Sequence, residues 1–203
     1  MDTFEAIRSR RSIKKFDPAH RMSEDEIRQL FELVLLSPTS YNIQNWRFVA
    51  VTDQATKDAV KAAGWNQPQF SECSLLVIVC GDREAYARDP ARYWIHATET
   101  QREGIVRNIL GAYGKRPELR RDENLRSGSL AAQTLMLAAR AMGYDSRAMV
   151  GFDFAAVGRI IDLPPEHDIV MAVTVGKALE PARPRGGQLP LDEVVFRDRF
   201  PAR

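Results

Sequence analysis

The segment RSRRSIKKF, residues 8–16, carries five cations and no acid. If its backbone is extended, Arg10, Ser12 and Lys14 point to one side. A guanidinium, a hydroxyl and an ammonium on one side suit a phosphate group, because arginine offers a planar fork and lysine a point charge. By itself the segment fits a solvated charged surface better. The apolar residues Ile13 and Phe16 weaken that alternative, because their burial would hold the backbone down.

Two later segments are rich in side chains that form hydrogen bonds. SPTSYNIQNWRF, residues 37–48, places hydroxyl and amide groups at the end of a strong helical pattern, where they could bond a polyol or the edge of a heterocycle. In GWNQPQF, residues 64–70, Asn66 and Gln67 can both donate and accept, as a uracil-like edge requires. Neither segment need be a binding site: residues 37–48 could simply be a turn that ends the helix, and residues 64–70 a loop before the next strand.

The sequence holds none of the motifs that mark a built-in catalytic apparatus. There is no G-x-S-x-G, H-E-x-x-H, C-x-x-C, phosphate-binding P-loop or G-x-G-x-x-G pattern. The three histidines lie far apart, which argues against a metal site. Groups that bind an anion and a heterocycle, without groups that move protons, indicate that a bound cofactor does the chemistry.

Composition narrows the class of protein. A chain of 203 residues, 44% hydrophobic and 28% charged, suits one globular domain over residues 1–203. The net charge of +2 is too small for a general nucleic-acid binder. We expect no secretory signal and no membrane span. Cys73 and Cys80 have an odd separation, which would put them on opposite faces of a strand, so we expect reduced thiols in a cytoplasmic protein.

Periodicity predicts mixed helices and strands around one core. Ser23 and Glu26 form a capping box before an amphipathic helix that stops at Ser37-Pro38. Further helices are predicted over residues 2–9, 56–63, 129–142 and 154–161, and strands over 47–52, 75–80, 169–175 and 191–196. Residues 84–127 read as amphipathic helical pieces broken around Gly111, Gly114 and Pro117. The expected class is α/β or α+β in layers.

With these motifs in order, the chain resembles the FMN-dependent nitroreductase family. The resemblance rests on RSRRSIKKF, SPTSYNIQNWRF, WNQPQ, SLAAQTLMLAARAMGYDSRAM, GFD, DLPPEHDIVMAVTVGKA and the basic proline-rich tail. It implies an α+β, three-layer αβα sandwich with a mixed central sheet flanked by helices. It also implies a homodimer with FMN at the interface, and a C-terminal extension, residues 177–203, swapped onto the partner subunit.

The resemblance also assigns residues. Arg10, Arg11 and Ser12 would hold the phosphate and ribityl end, Lys14 would lie by the pyrimidine side, and Asn66 would bond the pyrimidine edge. The backbone of Met149, Val150 and Gly151 would approach N5, and Arg183 or Arg185 would complete the phosphate site. From the other subunit, the ribityl chain and dimethylbenzene side would be lined by Pro38, Thr39, Ser40, Asn42 and Gln44. No side chain is assigned to catalysis, since flavin N5 does the chemistry.

The implied function is an FMN-dependent NAD(P)H oxidoreductase that reduces nitroaromatics, quinones or similar flat acceptors by ping-pong hydride transfer through N5. Alternatives are another flavin reaction (dehalogenation, enoate reduction or flavin breakdown) and, from another class, a non-enzymatic anion- or nucleic-acid-binding protein. Tyr93, Trp94 and Tyr113, in the variable helical region 84–127, could cover the pocket or belong to the core. The chain departs from the family pattern in three places. Asn45 stands where the family often has proline, and Val150 stands where it often has a second glycine. Residues 186–188 are GGQ, where the tail of the family usually carries paired basic residues.

Overall fold

The structure is a computed structural model that describes residues 1–201. Its helices are α1 (Thr3–Ser9), α2 (Glu24–Val34), α3 (Gln54–Ala63), α4 (Gln69–Glu72), α5 (Glu99–Tyr113), α6 (Pro117–Ala141), α7 (Phe154–Ile160) and α8 (Leu191–Val194). The strands are β1 (Trp46–Val51), β2 (Leu75–Asp82), β3 (Asp145–Met149) and β4 (His167–Gly176). Short 3₁₀ turns form at Ser40–Asn42 and Pro90–Trp94.

The four strands form a sheet in the order β1-β2-β4-β3, and each neighbouring pair is antiparallel. In the described chain, the parallel contribution to the sheet is a single bridge between Ser12 and Ser146 on the outer edge of β3. Every residue of β2 is buried, because both faces of this central strand are covered. Leu75, Val77 and Val79 point to one side of the sheet, and Leu76, Ile78 and Cys80 to the other.

Helices cover both faces, which confirms the α+β sandwich. α6 lies across all four strands on one face, with α1 and α2 packed against it. α3, α4 and α7 cover the opposite face, where Phe70, Val60 and Val157 are fully buried. The amphipathic pattern of α2 buries Ile27, Leu30 and Val34 toward α6.

Local signals set the helix starts that the sequence predicted best: Asp2 caps α1, and the capping box of Ser23 and Glu26 is formed at α2. Asp53 caps α3, which begins at Gln54, two positions before the expected start at residue 56. The break expected near Pro117 falls between α5 and α6. The expected helix 129–142 is the second half of α6, which begins twelve positions earlier at Pro117. Among residues 1–201, none of the helices combines the length and apolar character that a membrane crossing requires.

One strand is missing from the sequence prediction, and one predicted strand is wrong. The missing strand is β3, because DSRAM has no clear alternation and is specified by pairing with β4. Residues 191–196 were expected to form a strand, but Leu191–Val194 form a helical turn with no buried residue. A strand needs a neighbouring strand for its backbone N–H and C=O groups, and in the described part of this chain the segment has none.

Candidate functional site

A cavity of about 530 Å³ opens between the basic segment (residues 8–16) and the C-terminal extension. We call it the basic cavity. Six of the side chains around it are cationic: Arg10, Arg11, Lys14, Lys15, Arg183 and Arg185. Its one acidic residue, Glu180, pairs with Lys15 at 2.6 Å, so that ion pair neutralises only one of the six. The site is therefore strongly cationic on a nearly neutral chain.

The basic segment owes its orientation to the sheet edge. Ser12 forms the parallel bridge with Ser146, and the Ile13 amide donates to the Ser146 carbonyl at 3.2 Å. Ile13 and Phe16 are buried, and Phe16 bridges to Ala178 at the start of the extension. Because these two buried side chains are three positions apart, the segment does not alternate strictly, and Arg11 and Lys15 line the basic cavity together with the expected Arg10, Ser12 and Lys14.

The extension closes the other side of the basic cavity. Arg11 donates to the Arg183 carbonyl, and Arg185 Nη2 donates to the carbonyls of Arg8 and Arg10, both at 2.9 Å. Burial lowers the pKa of Arg10, and the neighbouring charges of Arg185 and Arg11 lower it further. A bound anion would relieve this repulsion between like charges.

Gln69 belongs to the same cavity and was missed in the sequence. Its Nε2 donates to the Lys14 carbonyl at 2.6 Å, and its side chain is buried. Its Oε1 is buried without a hydrogen-bond partner among residues 1–201, so it can accept from a ligand N–H. The available signal was the amide side chain itself: Gln69 is the third amide in the WNQPQ segment, after Asn66 and Gln67.

The segment around Asn66 meets the segment around Gly151. Gln67 Nε2 donates to the Gly151 carbonyl at 2.7 Å, and a Cβ at Gly151 would lie 3.2 Å from the Trp65 ring. Trp65 and Asn66 have φ of 55° and 58°, a left-handed backbone that leaves both side chains exposed. These residues form a ledge with exposed side chains at Trp65, Asn66 and Val150, which we define as residues 64–67 with 149–151.

At that ledge, Met149 is buried while Val150 is 63% exposed. The side chain at 150, where the family often has glycine, therefore points away from the core. Gly151 presents its backbone between Trp65 and Gln67, and a larger residue would press against the Trp65 ring.

The polar turn, residues 38–45, does not line the basic cavity of its own chain. Tyr41, Asn42 and Gln44 have φ of 49°, 53° and 44°, so three of its residues adopt the left-handed conformation. Gln44 N donates to Thr39 Oγ1 at 3.0 Å. Conformations of this kind cost free energy and persist because surrounding structure enforces them.

The turn is anchored in a small separate core. Ile43 packs with Tyr86, Ile109 and Tyr113, all of them buried. Asn42 Nδ2 lies 3.4 Å from the Tyr93 carbonyl. Tyr113 is 3% exposed and therefore packs in the core. Tyr93 and Trp94 are half-buried and do not line the basic cavity.

Helix α6 adds two polar contacts to this turn that the sequence did not predict. Asn45 Nδ2 donates to Asn124 Oδ1 at 2.8 Å, and the Ser40 amide donates to Glu123 Oε1 at 3.4 Å. Asn45, Asn124 and Glu123 are buried. The sequence offered little signal for them, because Glu123 and Asn124 lie in a run of charged and polar residues, and the irregular pattern of residues 84–127 obscured the helix.

Burial also decides the state of the cysteines. Cys73 and Cys80 are free and pack in the same core cluster, so the expectation of opposite faces is wrong, because Cys73 precedes the strand. Desolvation raises the pKa of both thiols to about 12. Across residues 1–201, no group of three or more histidine, cysteine or acidic side chains is placed to hold a metal ion.

Comparison with known proteins identifies relatives over nearly the whole chain. Residues 7–177 match the model of the nitroreductase family. The protein DrgA of Synechocystis is 43% identical over 200 residues, which cover 96% of this chain and 95% of DrgA. A Thermus thermophilus protein named NADH dehydrogenase is 30% identical, with 97% and 96% covered, and a Helicobacter pylori protein named oxygen-insensitive NADPH nitroreductase is 26% identical, with 94% of each covered.

Two solved structures are similar in fold. One, from Exiguobacterium sibiricum, was determined in complex with FMN; its TM-score is 0.88 at 28% identity, with 97% of each chain covered. The other is the enone reductase CLA-ER of a gut-bacterial fatty-acid saturation metabolism, with a TM-score of 0.87 at 26% identity and coverage of 97% and 98%.

Proposed function

The chain belongs to the nitroreductase family, and on that premise we propose that it is an FMN-dependent NAD(P)H oxidoreductase that reduces nitroaromatics, quinones or similar flat acceptors. The observation that carries the proposal is the basic cavity, whose cations come from both ends of the chain. The relatives named NADPH nitroreductase and NADH dehydrogenase support a nicotinamide as the reductant.

The residues around the basic cavity fit a phosphate-bearing cofactor. Arginine forks and a serine hydroxyl are the donors that a phosphate prefers, and the cavity offers Arg10, Arg11, Ser12 and Lys14 on one wall. The buried, unpartnered Gln69 Oε1 is an acceptor suited to a heterocyclic N–H. We propose that Arg183 and Arg185 both contribute to the phosphate end from the extension.

Bound FMN would supply the two-electron chemistry, in which hydride from a reduced nicotinamide reaches flavin N5 and is then passed to the acceptor. The protein would bind and orient the flavin and the two substrates. We propose that Lys14 places a cation by the pyrimidine side, where it favours negative charge, and that Asn66 bonds the pyrimidine edge. Met149, Val150 and Gly151 would offer backbone to the reacting side of the ring.

We also propose that two copies of the chain complete each site. The turn residues Pro38, Thr39, Ser40, Asn42 and Gln44 lie away from the basic cavity of their own chain, so they would act on the flavin of the partner subunit. The exposed apolar side chains of the extension support such an arrangement, because it would bury them. The buried free thiols support a cytoplasmic location.

A second flavin reaction is supported by a specific relative. CLA-ER shares the fold over nearly the whole chain and is an enone reductase, so reduction of an activated C=C bond is the alternative activity. A non-enzymatic binder of nucleic acid or an acidic partner is the alternative from another class. It predicts a colourless protein whose affinity falls steeply with salt.

The first experiment is the visible spectrum of the purified protein, followed by titration of the apoprotein with FMN. We expect a yellow protein with flavin absorbance that NADH or NADPH bleaches under anaerobic conditions. Reoxidation by a nitroaromatic, a quinone or an enone then ranks the candidate activities. A colourless protein that takes up no FMN would contradict the proposal.

Arg10→Ala tests the proposed phosphate end. We expect FMN affinity to fall by about 1.5–3 kcal/mol, roughly 10- to 150-fold, the scale of a hydrogen bond to a charged group. Arg8→Ala is the matched control, because the Arg8 side chain does not line the basic cavity while its backbone carbonyl is kept. Equal FMN affinities in the two variants would show that the phosphate lies elsewhere.

A further inference from the structure

We infer that Glu123 is a positioning residue of the flavin site: it holds the polar turn in its binding conformation without reaching the flavin. The inference rests on the proposed function, because it takes the turn to be a flavin contact. Glu123 lies in the second turn of α6 and is 8% exposed. Its surroundings combine the aromatic and aliphatic side chains of Ile43, Tyr86 and Tyr113 with polar groups that include Asn45 and Asn124.

The contacts of Glu123 explain its burial. Glu123 Oε1 accepts from the Ser40 amide at 3.4 Å and from Ser127 Oγ at 2.9 Å, while Oε2 lies 3.6 Å from Arg126 Nη1. A buried carboxylate is costly unless hydrogen bonds and a cation compensate it, and here all three partners do so. One of these three partners, the Ser40 amide, belongs to the backbone of the polar turn.

The turn needs such support. Ser40 immediately precedes Tyr41 and Asn42, both with left-handed backbone, and Gln44 follows with the same conformation. Because left-handed backbone is unfavourable for residues with side chains, the free turn would relax to other conformations. A carboxylate that accepts from the Ser40 amide fixes the entry of the strained stretch.

The exit of the turn is fixed on the same helix. Asn45 donates to Asn124 at 2.8 Å, and Asn124 in turn donates to Asp168 Oδ2 at 2.9 Å. Asp168 accepts from Arg83 at 2.6 Å. The turn therefore stands between two anchors on adjacent residues of α6, and Ile43 is clamped between them by Tyr86 and Tyr113.

This arrangement gives the helical region an indirect effect on the flavin. Tyr113 packs edge-on against Tyr41 with ring centroids 6.5 Å apart. Changes in α5 or at the start of α6 would therefore reach the flavin through the position of the turn.

The test compares Glu123→Ala with Asp122→Ala. Each substitution removes one carboxylate that pairs with Arg126. Asp122 is exposed, and its ion pair with Arg126 at 3.5 Å is the one polar contact of its carboxylate among the described residues. The difference between the two variants therefore isolates the contacts of Glu123 with Ser40 and Ser127. Glu123→Gln, which keeps the acceptor and loses the charge, is the rescue variant. The readouts are the FMN dissociation constant and the visible circular dichroism of bound flavin, with thermal unfolding in parallel.

We expect Glu123→Ala to raise the FMN dissociation constant about five-fold or more and to change the flavin dichroism at saturation. Glu123→Gln and Asp122→Ala should stay within about two-fold of wild type. If Glu123→Ala only lowers thermal stability and leaves both flavin readouts like those of Asp122→Ala, the inference is overturned while the proposed function stands. If the wild type itself takes up no FMN, the proposed function falls, and this inference with it.

Discussion

At the scale of single residues, Glu26 shows how one side chain can join two distant elements. It closes the capping box of α2 through Ser23, and its Oε1 accepts from the Tyr144 hydroxyl at 2.5 Å, just before β3. The Tyr144 and Ser23 hydrogen bonds lower the pKa of Glu26 to about 2. Burial, followed by the contact with Glu26, raises the pKa of Tyr144 to about 12.

Tyr144→Phe tests this coupling through pH. A carboxylate whose folded pKa lies below its ordinary value of 4.5 stabilises the fold above pH 4.5, and that contribution is lost as pH falls toward 2. We therefore expect the variant to be less stable than wild type at neutral pH, with the difference shrinking between pH 4.5 and pH 2. Urea unfolding of both proteins at several pH values between 2 and 7 measures this difference in the free energy of unfolding.

Tyr113→Phe is the control for that series, because Tyr113 is also a buried tyrosine and desolvation is the main cause of its raised pKa, whereas the Tyr144 hydroxyl donates to the Glu26 carboxylate. Its stability difference from wild type should vary little over the same pH range. A Tyr144→Phe difference that is as large at pH 3 as at pH 7 would mean that the Glu26 contact does not carry the effect.

At the scale of elements, the approach of β2 to α6 is set by a glycine. A Cβ at Gly81 would lie 2.3 Å from Asn124 Cγ, in a fully buried position. We expect Gly81→Ala to lower the free energy of unfolding by about 1–3 kcal/mol, because neither the strand nor the helix can move without disturbing its packing. The same shift would displace Asn124 from Asn45.

Gly111→Ala is the matched control, since its added Cβ in α5 would meet no described atom within 4 Å beyond the neighbouring residues and backbone of its own helix. There we expect a gain of up to about 1 kcal/mol, from the better helix propensity of alanine. Urea denaturation of both variants provides the comparison. A Gly81→Ala protein as stable as wild type would show that β2 and α6 adjust more freely than their packing suggests.

At the scale of the whole molecule, the C-terminal extension is the part that its own chain covers least. Its first residues are tied to the basic segment, but beyond Arg185 every described residue is exposed. The exposed apolar side chains there are Leu189, Leu191, Val194, Val195, Phe196 and Phe200. Apolar side chains at this density are typical of a protein interface.

We expect a homodimer in solution, measured by light scattering after size-exclusion chromatography. Deletion of residues 187–203 should weaken the dimer and reduce FMN retention, because the proposed site needs both subunits. Deletion of residues 201–203 is the control. A full-length chain that stays monomeric at micromolar concentration with FMN bound would contradict the proposed arrangement.

Local physics accounts for what the sequence predicted well. Helix caps and apolar periodicity act over two to four residues, so the starts of α1 and α2 and the buried strands β2 and β4 could be predicted directly. The burial of Ile13 and Phe16 followed from their apolar side chains. The resemblance, carried by ordered motifs, correctly indicated the family and the sandwich.

Long-range contacts account for the rest. Strand β3 exists because β4 pairs with it, and residues 191–196 lack the partner that a strand requires. Arg11 donates a hydrogen bond to the carbonyl of Arg183, 172 positions along the chain, and Glu123 accepts one from the Ser40 amide, 83 positions away. Residue types alone indicate which side chains can bind an anion. Which of them share a cavity, and what holds the polar turn, follows from the fold, because burial and hydrogen bonding between distant segments leave no periodic trace along the chain.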